Sequence, residues 1–125
     1  MNGSTAMIRN VFVYDSDNSC FNLAGSRAQL LNSYCYSCDA QGAFISSDFN
    51  IVNGNTFDQV GSNGIQTWSG GGDYNVLTNN IVRNGQTIRI DGSANDYTVV
   101  CGNMLPAAVS NSGTNTMTDC GNQDY

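Results

Sequence analysis

Arg89 and Asp91 stand two residues apart, the spacing that places both side chains on one face of a β-strand. A guanidinium beside a carboxylate is the one compact acid–base pair in this sequence, so these two are the catalytic candidates. Hydrolysis of a glycosidic bond by paired carboxylates needs two acids roughly 5–9.5 Å apart. No second acid accompanies Asp91, the chain has no His for general acid–base work, and no motif diagnostic of a lyase, hydrolase or epimerase surrounds the pair. Binding asks for less. Phe44, Gln66 and Trp68 fall at outward strand positions one or two repeats from Arg89, and Asp73 and Tyr74 follow the glycine run at 70–72. An aromatic ring stacks on the apolar face of a pyranose, and Arg can grip a uronate carboxylate with two parallel hydrogen bonds. Phe44, Gln66, Trp68, Asp73, Tyr74 and Arg89 are therefore the carbohydrate-binding candidates. The plainer alternative is a surface Arg89–Asp91 ion pair and an indole covered by the glycine loop.

Two other groups could hold a metal. Cys35 and Cys38 have the CxxC spacing of a zinc half-site or a redox pair, but no second half-site and no His complete it. Disulfides are expected instead, with Cys101–Cys120 the favoured pair because it would tie the tail to the last coil. The odd cysteine is left free or pairs between chains. Asp15, Asp17 and Asn18 form an oxygen-rich loop without EF-hand spacing or a terminal Glu. It reads as a solvated turn, with calcium as the alternative there, so no cofactor is expected.

Forty per cent of the 125 residues are hydrophobic, enough for one core, yet only 11% are charged. The charges are ten Asp and four Arg, with no Lys or Glu. Abundant Asn, Gly, Asp and Ser favour turns over helices. A net charge of −6 argues against nucleic acid and anionic membrane as partners. No apolar run approaches the roughly 18 residues of a spanning helix, and the first residues lack a leader's basic and apolar regions. A removed leader or a longer parent chain is expected, together with extracellular or virion-surface localisation.

The elements that position these residues emerge from self-similarity. Asn recurs at 10, 32, 55, 80 and 103, and an apolar or aromatic residue follows each two positions later: Phe12, Tyr34, Phe57, Val82 and Leu105. A second block repeats in step, from Phe21-Asn22-Leu23 through Ala43-Phe44-Ile45 and Ile65-Gln66-Thr67 to Ile88-Arg89-Ile90. Alternate residues there are apolar, the period of a half-buried strand. A repeat of 22–25 residues cannot bury its apolar face alone, so coils must stack, like side chain upon like. The fold expected is an all-β, right-handed parallel β-helix of about five coils. One domain spans 1–125, with coils over about 6–105 and an irregular C-terminal cap over 106–125. Asn10, Asn32, Asn55, Asn80 and Asn103 would form a structural ladder, and Phe12, Tyr34, Phe57, Val82 and Leu105 one edge of the core. A salt bridge between Asp58 and Arg83 would cross two coils.

The phrases Asn63-Gly64-Ile65, Asn79-Asn80-Ile81 and Ile90-Asp91-Gly92 resemble the repeats of the pectate-lyase-like β-helix superfamily. The resemblance spans roughly residues 6–105 and implies the fold. For function it implies a carbohydrate-recognising or carbohydrate-processing module, the C-terminal part of a longer polysaccharide-active or tailspike-like protein, with a polysaccharide or glycan as partner and, if active, lyase or hydrolase chemistry. Because the superfamily also holds non-catalytic adhesins, the alternative is a structural module that forms homo-oligomers or filaments through its coil ends. Ice binding is a minor alternative, weakened because no TxT row repeats per coil.

Overall fold

A computed structural model describes residues 5–70, 72–92, 96–118 and 120–124. Among these residues there are strands and turns and no helix. The first coil carries β1 (Met7–Arg9), β2 (Phe12–Ser16) and β3 (Phe21–Leu23). The second carries β4 (Gln29–Leu31), β5 (Tyr34–Cys38) and β6 (Ala43–Ile45), and the third β7 (Ile51–Asn53), β8 (Thr56–Val60) and β9 (Asn63–Thr67). The fourth has β10 (Val76–Thr78), β11 (Ile81–Arg83) and β12 (Gln86–Ile90). The last has β13 (Val99–Cys101), β14 (Met104–Leu105) and β15 (Ser110–Asn111), followed by β16 (Gln123–Asp124). Equivalent strands stack in parallel into three sheets, β1-β4-β7-β10-β13, β2-β5-β8-β11-β14-β16 and β3-β6-β9-β12-β15. The chain is a parallel β-helix of about five coils. Met7, Gln29, Ile51, Val76 and Val99 lie over one another, so successive coils take 22, 22, 25 and 23 residues.

The three sheets enclose a narrow core. The first contributes Leu30, Val52, Leu77 and Val100, the second Cys35, Phe57, Val82 and Leu105, all fully buried. On the third, Phe21, Ala43, Ile65 and Ile88 form one inward row and Leu23, Ile45, Thr67 and Ile90 another, the registers the alternation predicts. Glycines just before the inward rows, Gly42 ahead of β6 and Gly64 within β9, make room for the second sheet. A Cβ on Gly42 would collide with the Phe57 ring, and one on Gly64 with Val82. Residues 106–124, expected to be an irregular cap, still extend the second and third sheets through β16 and β15.

Two expected rows require correction, for one reason. Phe12 pairs with Tyr34, and Tyr34 pairs with Thr56 rather than Phe57. Phe12 and Tyr34 therefore point outward, Phe12 being 64% exposed, while Val13 and Cys35 precede Phe57 in the inward row. The asparagine ladder shifts by the same single residue. Asn10 and Asn32 are exposed and do not belong to it. They sit with Gly54, Asn79, Gly102 and Gly121 in a row whose φ angles all lie between 47° and 81°, the left-handed region that Gly and Asn enter most readily. The ladder runs through the next residues instead. The N–H of Val11 donates to Ser33 Oγ at 3.2 Å, that of Ser33 to Asn55 Oδ1 at 2.8 Å, and that of Asn55 to Asn80 Oδ1 at 3.0 Å. The series continues from Asn80 to Asn103 Oδ1 and from Asn103 to Asn122 Oδ1, both at 2.9 Å. Each amide nitrogen reaches back to a carbonyl: Asn55 to Leu30, Asn80 to Val52, Asn103 to Leu77 and Asn122 to Val100. At Asn55, Asn80, Asn103 and Asn122 one side-chain amide, with two donors and one acceptor, thus satisfies two backbone groups.

Cys101 and Cys120 are bridged, as expected, and a second bridge joins Cys20 to Cys35, leaving Cys38 as a buried thiol. The Asp58–Arg83 salt bridge does not form, although the two residues pair in register. Asp58 is occupied by neutral donors, Asn84 Nδ2 at 3.0 Å and the Tyr34 hydroxyl at 3.3 Å.

Candidate ligand-binding face

The outer surface of the third sheet carries Asn22, Phe44, Gln66, Arg89 and Ser110 in one row along the axis. Strict alternation on β3, β6, β9 and β12 buries the flanking residues and turns this row to solvent. Trp68 and Asp91 follow at the strand ends. Trp68 is 53% exposed, and a Cβ on Gly70 would lie 3.4 Å from its ring.

The polar groups of this face form one directional chain across four coils. Ser19 Oγ donates to Gln41 Oε1 at 2.8 Å, Gln41 Nε2 to Gln66 Oε1 at 2.9 Å, and Gln66 Nε2 to Asp91 Oδ2 at 2.7 Å. Asn63 Nδ2 gives Gln66 Oε1 a second donor at 3.1 Å. The other Asp91 oxygen takes the Arg89 Nε–H at 2.5 Å. Arg89 remains half exposed at 50%, whereas Asp91 is 16% exposed. Both carboxylate oxygens thus already accept a charged or amide donor, and the guanidinium charge is answered within its own strand. Such a pair is engaged on both carboxylate oxygens. It is well placed to hold a fixed pattern of donors and acceptors.

Asp73 and Tyr74, expected as a rim, sit at the far end of the 69–73 loop, in a second corner with its own rows. Tyr74 is stacked between Phe49 and Tyr97, ring centroids 5.0 Å apart on either side, and Arg27 caps the stack over Phe49 at 5.8 Å. Asp73 lies between Asp48 and Asp96: its N–H donates to Asp48 Oδ1 at 3.0 Å, and Asp73 Oδ1 accepts the Asp96 N–H at 2.8 Å. Phe49, Tyr97, Asp48 and Asp96 were not anticipated. The signal was present in Asp48-Phe49-Asn50, Asp73-Tyr74-Asn75 and Asp96-Tyr97-Thr98, a tripeptide repeating once per coil. The rings of this corner are engaged with one another, while Trp68 lies on the third-sheet side at 53% exposure.

The chain finds no match among family models, curated proteins or solved structures. The site therefore rests on its own geometry. Among the described residues, the group of ligand atoms close enough to hold a metal is Cys20, Cys35 and Cys38, whose sulfurs lie within 4.8 Å of one another. In the Asp15–Asn18 loop the Asn18 side chain is used locally, accepting the Ser19 N–H at 2.9 Å. Asp15, with φ 49°, occupies a left-handed bulge row shared with Ser37, Gln59 and Asn84.

Proposed function

We propose that this chain is a carbohydrate-recognising β-helix module that binds without cleaving. The observation that carries this reading is an exposed indole beside a hydrogen-bonded, internally neutralised network of Gln41, Gln66, Arg89 and Asp91. A sugar ring offers an apolar face and a fringe of hydroxyls, each both donor and acceptor. Trp68 supplies a stacking surface, and the amide and guanidinium edges supply the fixed partners. Since Asp91 already answers Arg89 and the chain carries −6 overall, a neutral glycan suits the face better than a polyuronate. We place the chain with the pectate-lyase-like superfamily on its repeat phrases, and outside the cell because two disulfides suit an oxidising compartment. No helix among the described residues is long and apolar enough to cross a membrane.

On a glycan array the intact chain should bind. Trp68→Ala combined with Arg89→Ala should abolish that signal while leaving the unfolding midpoint nearly unchanged. Absence of binding by the intact chain contradicts the reading.

A second reading, assembly of copies through the first coil, draws on one feature. The N-terminal end of the core opens into a recess of about 290 Å³ lined by Ala6, Ile8, Leu23, Ala24 and Ala28. Phe12 and Tyr14, stacked on Tyr34 and Tyr36, stand exposed on the outer face of the second sheet. Unpaired strand edges and open apolar surface favour pairing with another chain. Light scattering at high concentration should then report oligomers, and a strict monomer removes this alternative.

A further inference from the structure

We propose that Cys20, Cys35 and Cys38 form a thiol–disulfide exchange centre in which the bridge moves from Cys20–Cys35 to Cys35–Cys38 and releases Cys20 as a reactive surface thiol. Three observations lead there. First, the bulge on β5 reverses the strand's parity. Ser37 takes a left-handed φ of 59°, so Cys35 and Cys38, three residues apart, both face inward and both are buried. A regular strand would send them to opposite faces. Second, the Cys38 sulfur lies within 4.8 Å of both bridged sulfurs, in reach of attack after a side-chain rotation. Third, the three sites differ in access: Cys35 and Cys38 are buried, while Cys20 lies partly exposed at the corner leading into β3.

The exchange conserves electrons. The Cys38 thiol gives its proton to solvent, and the thiolate attacks Cys35 Sγ. The Cys35–Cys38 bond forms as the Cys20–Cys35 bond breaks, and the leaving electron pair stays on the Cys20 sulfur, which takes up a proton. Nothing is oxidised or reduced overall, so no external oxidant is needed. Attack on Cys35 is favoured over attack on Cys20 because the sulfur it expels is the one that water can solvate. Two features keep the resting state as it stands. The Cys38 thiol donates to the carbonyls of Gln41 at 3.3 Å and Ala40 at 3.5 Å. Burial holds it protonated above its ordinary range, with the nearby Asp39 carboxylate acting in the same sense. Exchange should thus be slow at neutral pH and quicken with alkalinity, as the thiolate fraction rises. The released Cys20 thiolate would attack the disulfide of a disulfide-bearing partner, forming a mixed disulfide as the partner's other sulfur leaves as a thiolate and takes up a proton.

The test uses the native, unreduced chain, incubated with excess iodoacetamide at pH 6 and pH 9 and mapped by mass spectrometry without reduction. The expected result is carbamidomethyl label on Cys20 together with a Cys35–Cys38 cross-link. Labelling should accelerate about tenfold per pH unit while thiolate formation limits it, and the Cys101–Cys120 bridge should stay untouched. In Cys38→Ser, Cys20 should take no label. Label on Cys38 with Cys20–Cys35 intact, no label at either pH, or equal Cys20 labelling in Cys38→Ser would each overturn the proposal. The wild-type map decides alone if the variant does not fold.

Discussion

Two corners of this helix solve the same backbone problem with different side chains. Between the first and second sheets, a left-handed residue precedes the ladder residue, buried at Ser33, Asn55, Asn80 and Asn103, and the left-handed row reads Asn10, Asn32, Gly54, Asn79, Gly102 and Gly121. Between the third and first sheets the backbone does the same. There the left-handed row reads Arg27, Phe49, Tyr74, Tyr97 and Asn115. It precedes a second ladder, in which the Ala28 N–H donates to Asn50 Oδ1 and the Asn50 N–H to Asn75 Oδ1, both at 2.8 Å. Bulky residues in this region carry a steric cost of roughly 1–2 kcal/mol each. Stacking of Phe49, Tyr74 and Tyr97 offsets part of it, at about 0.5–1.5 kcal/mol per ring pair. The contrast separates two demands. The outward left-handed position accepts any side chain that finds company, whereas the buried ladder position needs an amide or hydroxyl because two backbone groups depend on it.

The largest effect should come from the ladder itself. Asn80→Ala strands the Asn55 N–H and the Val52 carbonyl and removes a donor to Asn103. At about 1–3 kcal/mol per buried group left unpaired, urea unfolding should show a loss of about 3 kcal/mol or more. Of similar size, Phe57→Ala should cost about 3–5 kcal/mol by opening a cavity in the core, against less than about 1 kcal/mol for Phe12→Ala on the outward row. A smaller change tests the aromatic corner. Tyr74→Ala loses two stacking contacts and should cost about 1–2 kcal/mol. Asn79→Gly should be neutral or slightly stabilising, since glycine suits its φ of 54°.

The smallest effect concerns pH. Burial, and then the Asp58 carboxylate, raise the Tyr34 hydroxyl above the usual phenol value of 10.0. A folded-state value above the unfolded one contributes stability that is complete below pH 10 and is lost as pH climbs through the raised value. Spectroscopic titration should show Tyr34 ionising late, and Asp58→Asn should bring it back toward 10.0.

The third sheet was legible from β3 to β12, though not at β15, because its inward positions there are apolar in nearly every coil and its outward ones mostly polar. Phe21, Leu23, Ile45, Ile65, Ile88 and Ile90 leave no other register. The second sheet was misread by one residue in coils one and two, and the cause is physical. Left-handed and ladder positions are adjacent, and both favour Asn: the first because its short side chain tolerates positive φ, the second because its amide bonds in two directions. Ser33 replaces the ladder amide with a hydroxyl that accepts from Val11 and donates to Leu31. Aligning on the pair Asn/Gly followed by Asn, as in Gly54-Asn55, Asn79-Asn80, Gly102-Asn103 and Gly121-Asn122, would have found the true frame. The Cys20–Cys35 bridge was invisible for a related reason. The Ser37 bulge that turns Cys35 and Cys38 to the same side involves no glycine, so nothing in the residue types announces it. On the candidate face the outward row was legible, but Gln41 and Ser19, which link Gln66 back through two coils, lie in turns whose side-chain directions alternation does not specify.

The stacking itself is tested most directly by paired double-mutant cycles in urea. One joins Ser33→Ala with Asn55→Ala, the other Asn32→Ala with Asn55→Ala. Since Ser33 and Asn55 sit one above the other, the first cycle should give a coupling of about 0.5–3 kcal/mol, and the second should lie within about 0.5 kcal/mol of additivity. Strong coupling for Asn32 with none for Ser33 would restore the other frame and contradict the ladder described above.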